Sequence, residues 1–158
     1  MPDQQTPNLF VFCKRARSHI SQGRYDDALE VYDDLVAAAP AYATAWADRG
    51  TLLGLMNRRE EALTSLRKAI ALGFADPAAY NAMGTILGQM GLSQSALEAY
   101  AKAIEIDPAY PFTYFNRSGI FEKLKDNAAA RADLEACLRF DADEGFHDAV
   151  RGRIAALG

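Results

Sequence analysis

Side chains able to act as nucleophiles or metal ligands are scarce in this chain. Its 158 residues include two cysteines and two histidines, namely Cys13, Cys137, His19 and His147. A thiol becomes a catalytic nucleophile when a neighbouring imidazole takes its proton. Cys13 and His19 stand six residues apart, and six steps of about 100° leave them about 120° apart around a helix. No HExxH, P-loop or GxSxG pattern occurs. A metal site needs clustered Cys or His ligands, and none is present in the sequence. These residues give no basis for catalysis, a metal or another cofactor, so a non-enzymatic protein is expected. Two cysteines so far apart form neither a CxxC site nor a disulfide framework. They read as reduced thiols, each where a helix would bury a small apolar side chain.

Charge and polarity leave binding as the available chemistry. The net charge is −4, with 24% charged residues, so the strong basic footprint of a nucleic-acid binder is missing. The run Lys14-Arg15-Ala16-Arg17 could meet an acidic ligand. It could equally face the acidic stretch "DDALEVYDD" or Asp48. No apolar run approaches the roughly 18 residues of a membrane span. The start "MPDQQTPNLF" lacks the basic-then-apolar pattern of a secretory signal. The expectation is a cytoplasmic protein with no nucleic-acid or membrane partner.

The elements that carry these side chains repeat every 34 residues. Phe12, Trp46, Tyr80 and Tyr114 form one column, and Ala28, Ala62, Ala96 and Ala130 another. A third runs Ala16, Gly50, Gly84, Ser118, Gly152, and a fourth Tyr32, Leu66, Tyr100, Leu134. A fixed period of this size marks a repeat architecture. Within a unit the apolar residues recur at spacings of three and four, as on one helix face. Gly23, Asn57 and Gly91 stand in register between the two runs, and Gly and Asn tolerate the left-handed conformation that ends a helix. Each unit is therefore a helix, a tight turn and a second helix. Pro40 and Pro108 stop second helices, and Asp76-Pro77 reads as a cap and first residue.

Trp46, Gly50 and Ala62, and Tyr80, Gly84, Ala96, Tyr100 and Pro108, resemble the tetratricopeptide repeat pattern. The resemblance implies an all-α fold, a right-handed α-solenoid of antiparallel helix pairs with about nine helices. Four repeats are placed at 9–42, 43–76, 77–110 and 111–144, after a flexible tail at 1–8 and before a capping helix at 145–158. Phe146, Val150, Ile154 and Leu157 fall on one face of that last helix, and His147, Asp148, Arg151 and Arg153 supply its polar face. Departures from the family pattern are Ala16 for glycine, Phe74 for the late proline, Lys125 in the turn and Ala142 for proline. The fourth repeat is thus expected to be less regular at its turn and its end. Gly84 and Ala96 are read as a helix crossing, whereas Gly88 and Gly54 read either as a small groove floor that leaves room for ligand side chains or as close packing of neighbouring helices.

In that family the first helices line a concave groove. Carried over by position, the candidate partner-binding residues are Lys14, Arg17, Asp48, Thr51, Leu55, Asn81, Thr85, Gln89, Phe112, Phe115 and Asn116. Amides suit a peptide backbone because each has donors and an acceptor. Phe112 and Phe115 either form an apolar pocket or pack under the last helix. Arg15, Arg49, Arg117 and Arg151 share a column that reads either as an anion ladder or as structural pairing, such as Arg117 with Asp133. The family's carboxylate clamp, which takes acidic chaperone termini, needs Lys, Asn, Asn, Lys and Arg. Here those positions hold Cys13, Arg17, Asp48, Ala78 and Ala82, or, one repeat later, Ala47, Thr51, Ala82, Phe112 and Asn116. No fork of donors for a terminal carboxylate results. The expected function is an adaptor that binds a peptide or protein without that clamp. The alternatives are a chaperone resembling those of bacterial secretion systems, which usually have three repeats, and self-association through the array ends, with Leu9, Phe10 and Phe12 as the adhesive start.

Overall fold

A computed structural model describes residues 9–140 and 143–158. The proposed tail at 1–8 and the departure at Ala142 lie outside the described residues. Among those described there are nine α-helices and no strand. The chain divides into two compact units, Met1–Ala75 and Asp76–Gly158. The first holds α1 (Leu9–Ser21), α2 (Tyr25–Ala38), α3 (Ala43–Leu55) and α4 (Arg59–Ala71). The second holds α5 (Pro77–Gln89), α6 (Ser93–Ile106), α7 (Pro111–Lys123), α8 (Asn127–Cys137) and α9 (Glu144–Ala156).

Four helix pairs turn in the same way. Gly23, Asn57, Gly91 and Lys125 have φ of 72°, 63°, 79° and 63°. In each turn the next amide reaches back to the carbonyl five residues before it: Arg24 to His19, Arg58 to Leu53, Leu92 to Leu87 and Asp126 to Phe121, all at 2.9 Å. This six-to-one closure satisfies carbonyls that the ended helix leaves open. The fourth turn therefore differs from its expected irregularity. Lys125 takes the left-handed conformation although a Cβ disfavours it. Gly73, at φ 88°, gives α4 the same closure, with the Phe74 amide on Ala69 O at 3.1 Å. The caps follow the sequence: Asp76 accepts from the Ala78 amide at 2.7 Å with Pro77 opening α5. Asp126 and Asp143 cap α8 and α9 through the Ala129 and Phe146 amides.

The glycines of α5 are set by packing. A Cβ on Gly84 would lie 2.6 Å from the Tyr100 ring, too close for any real contact. Gly84 thus lies against the Tyr100 ring, a neighbour the sequence pattern did not name. Gly88 approaches α7, where a Cβ would lie 2.6 Å from Ile120 Cδ1, and Ala96 is the residue beside Gly88. Close packing of neighbouring helices thus accounts for Gly88.

In the second unit, Leu134, Cys137 and Val150 form a buried cluster. Phe146 and Ile154 of α9, and Leu157 just after it, pack against it with Tyr114, Phe115 and Leu138, as the expected apolar face requires. The polar face of α9 is only partly as read. Asp148 and Arg151 are exposed and paired at 2.9 Å. Arg153 and His147 instead turn inward, toward Phe115 and the Phe140 carbonyl.

Candidate partner-binding surface

Asn81, Thr85 and Gln89 follow one another at four-residue spacing along α5, which places them on one helix face. Asn116 of α7 joins that face by donating its amide to Asn81 Oδ1 at 3.1 Å. Thr85 donates to the Asn81 carbonyl at 3.0 Å, and its hydroxyl lies 3.2 Å from the Tyr100 hydroxyl. Burial pushes the Tyr100 phenol up, and the bond to Thr85 opposes that shift. A shallow cavity of about 160 Å³ opens here, lined by Thr85, Gly88, Gln89, Asn116, Ile120 and Lys123, among others. Gly119 also lines it, and Lys123 donates to the Gly88 carbonyl at 3.4 Å.

Phe112 and Phe115 lie together, each 5.3 Å from the Phe146 ring. Phe112 remains 49% exposed. Phe115 is covered by the Arg153 guanidinium, 4.4 Å above its centroid. Arg153 also donates to the Phe115 carbonyl at 3.1 Å and to Glu122 at 2.5 Å. Of the two sequence readings, packing under the last helix describes Phe115, whereas Phe112 both packs and presents a ring edge.

In the first unit, Lys14 and Arg17 are exposed on α1. Asp48 of α3 accepts from the Tyr32 hydroxyl at 3.4 Å and meets Arg17 at 4.0 Å. Burial first, and Asp48 second, hold the Tyr32 phenol well above its ordinary value. Thr51 returns its hydroxyl to the Ala47 carbonyl at 3.0 Å, and Leu55 is 65% exposed. Leu9, Phe10, Cys13, Lys14, Arg17, Tyr42 and Thr44 enclose a cavity of about 570 Å³. Burial, then Asp48, raises the Cys13 thiol, so no activated nucleophile results.

The arginine column is largely occupied by carboxylates. Arg117 grips Asp133 with two bonds of 2.8 and 2.7 Å. Arg49 holds Asp33 and Ser65 at 2.6 Å each. Arg151 holds Glu144 and Asp148. Three of the four thus make structural pairs rather than an anion ladder. Sequence reasoning missed Tyr42 as a cavity wall, Arg153 as the cover of Phe115, and the hydroxyl reach of Tyr100. The one available signal was that Tyr alternates with Leu in the column of Tyr32, Leu66, Tyr100 and Leu134.

Antiparallel helix pairs closed by identical turns define the helical-repeat solenoid class. The chain belongs to the tetratricopeptide repeat family: one family model matches residues 13–55, and another matches 43–72, 77–110 and 113–144. Solved structures of similar fold include PilF from Pseudomonas aeruginosa (TM-score 0.83, 19% identity, covering 94% of this chain and 67% of that one). MamA from Desulfovibrio magneticus RS-1 aligns with TM-score 0.76 and 20% identity over 84% of this chain and 75% of its own. PilW, described as a widely conserved type IV pilus biogenesis factor, gives 0.76 and 20% over 84% and 62%. These identities support the fold alone. No curated protein gives a significant match. A tetratricopeptide repeat protein is suited to protein–protein interaction. Among the described residues no helix is long and apolar enough to cross a membrane, and no cluster of three metal-ligating side chains occurs.

Proposed function

We propose that this protein is a non-enzymatic adaptor that takes a peptide or protein partner on the inner faces of its first helices, without a carboxylate clamp. The repeats act as units at 9–42, 43–76, 77–110 and 111–144, closed by the helix at 145–158. The observation that carries this reading is the polar edge of α5 and α7. There, Asn81 and Asn116 are tied at 3.1 Å beside a cavity lined by Thr85, Gln89, Asn116 and Lys123. Amides held in place lose little freedom on binding, and they serve a backbone running in either direction. Phe112 supplies an apolar anchor of the kind that carries much of an interface's affinity. Two free, buried cysteines support a reducing, cytoplasmic setting. A second reading, self-association through α1, is favoured by the 74% and 53% exposure of Phe10 and Val11. Mass that rises with concentration would support it.

A photo-crosslinker at Gln89, compared with one at exposed Glu98 on α6, tests the adaptor reading in source lysate. The expected result is a discrete partner adduct from position 89 and none from 98. Equal adducts from both, or adducts from 98 alone, would remove the inner face as the working surface.

A further inference from the structure

The cavity of the first unit has a chemistry of its own. Phe10, Lys14 and Arg17 recur at four and three residues along α1, so they form one stripe. Phe10 is 74% exposed, a large apolar surface for a single side chain. The α1 sequence LFVFCKRARSHIS contains no carboxylate. Among the described residues Lys14 joins no ion pair, and Arg17 meets Asp48 at 4.0 Å with 70% of its side chain exposed. Tyr42 and Thr44 form the facing wall. The volume of about 570 Å³ lies within the ~300–1,000 Å³ of ordinary ligand sites.

The geometry points to an extended peptide segment as occupant, with a bulky apolar side chain and an Asp or Glu two residues apart. Phe10 and Lys14 are separated by about one helical turn, ~5.4 Å. Side chains two apart on an extended chain point to the same side, ~6.7 Å from each other. An apolar side chain seated against Phe10, Leu9 and Tyr42 therefore delivers its neighbouring carboxylate to Lys14 and Arg17. The reverse pairing, an apolar residue next to a cation, meets two like charges. Charge complementarity selects against it and speeds encounter with the acidic form. This assignment rests on the reading of the protein as a peptide-binding module, but it concerns a different surface from the α5–α7 edge.

The test is a titration of the isotope-labelled full chain with two end-capped heptapeptides, Gly-Ser-Phe-Ser-Glu-Ser-Gly and its Glu-to-Gln counterpart. Backbone amide shifts and retained helical content are followed for wild type, Lys14→Glu and Phe10→Ser. The acidic peptide should move the amides near Phe10, Lys14 and Thr44. It should bind about threefold more tightly than the Gln peptide, and Lys14→Glu should cost about fivefold, the upper end of the scale of exposed charge pairs. Equal binding of both peptides, indifference to Lys14→Glu, or no shift on α1 would overturn the assignment. Shifts at the same residues on concentrating the chain alone would give the surface to a second copy, and would overturn it too. If position 89 crosslinks a partner while α1 stays silent, the module stands and this site falls. If both fail, the module reading falls with it.

Discussion

Cys137 shows how burial rather than reactivity fixes a titrating group. Its thiol is closed from solvent and donates to the carbonyls of Asp133 at 3.3 Å and Pro111 at 3.5 Å. Burial pushes its pKa from the ordinary 9.0 up to about 11, with Asp133 adding to the shift. The folded thiol keeps its proton where the unfolded one has lost it. Its contribution is therefore complete below pH 9 and lost as the pH rises toward 11, on the order of 2 kcal/mol over that window. Urea midpoints measured from pH 8 to 11 should fall less steeply in Cys137→Ala than in wild type. Thr113 has the opposite defect: it is fully buried and its hydroxyl has no partner. Thr113→Val keeps the shape and removes the unmet hydroxyl, so it should raise stability by about 1 kcal/mol in chemical denaturation. Pairing at this scale was partly legible in sequence. Arg117 and Asp133 could be matched because the repeat sets their offset. Arg153 could not, because a flexible stem lets its guanidinium fold over Phe115 while its backbone stays on the polar side of α9.

Helix order and turn positions were legible because they rest on local chemistry: spacing of apolar residues, Gly or Asn at the turn, and Asp-Pro at the start of α5. What the pattern did not give was the partner of each small residue. Gly84 lies against Tyr100 because the bulky member of one column fills the space left by the small member of another, and period alone does not specify that pairing. Lys125 shows that local preference yields to context. The fourth turn takes the same closure as the other three at φ 63°, against a cost of roughly 1–2 kcal/mol for a side chain in that region. Lys125→Gly should therefore stabilise the protein by about 1 kcal/mol in thermal or urea unfolding, since Lys125 is exposed and no packing is lost. No gain would mean that the turn carries no strain.

At the scale of the molecule, the sequence limited the function more than it defined it. Mild acidity, scattered cysteines and histidines and a 34-residue period left protein binding as the reading, and the family assignment agrees with that class. The candidate surface was legible as a set of positions, because the first-helix face recurs in each repeat. Which of those positions are taken up by internal contacts was not legible. Phe115 is spent on packing and Thr51 on its own helix, whereas Asn116 and Gln89 line an open cavity. The most direct test is affinity capture from source lysate with wild type and the Asn81→Arg/Thr85→Arg double variant, matched in helical content and melting. The account predicts a partner retained by wild type and lost by the variant. Retention of the same partners by both proteins would contradict it.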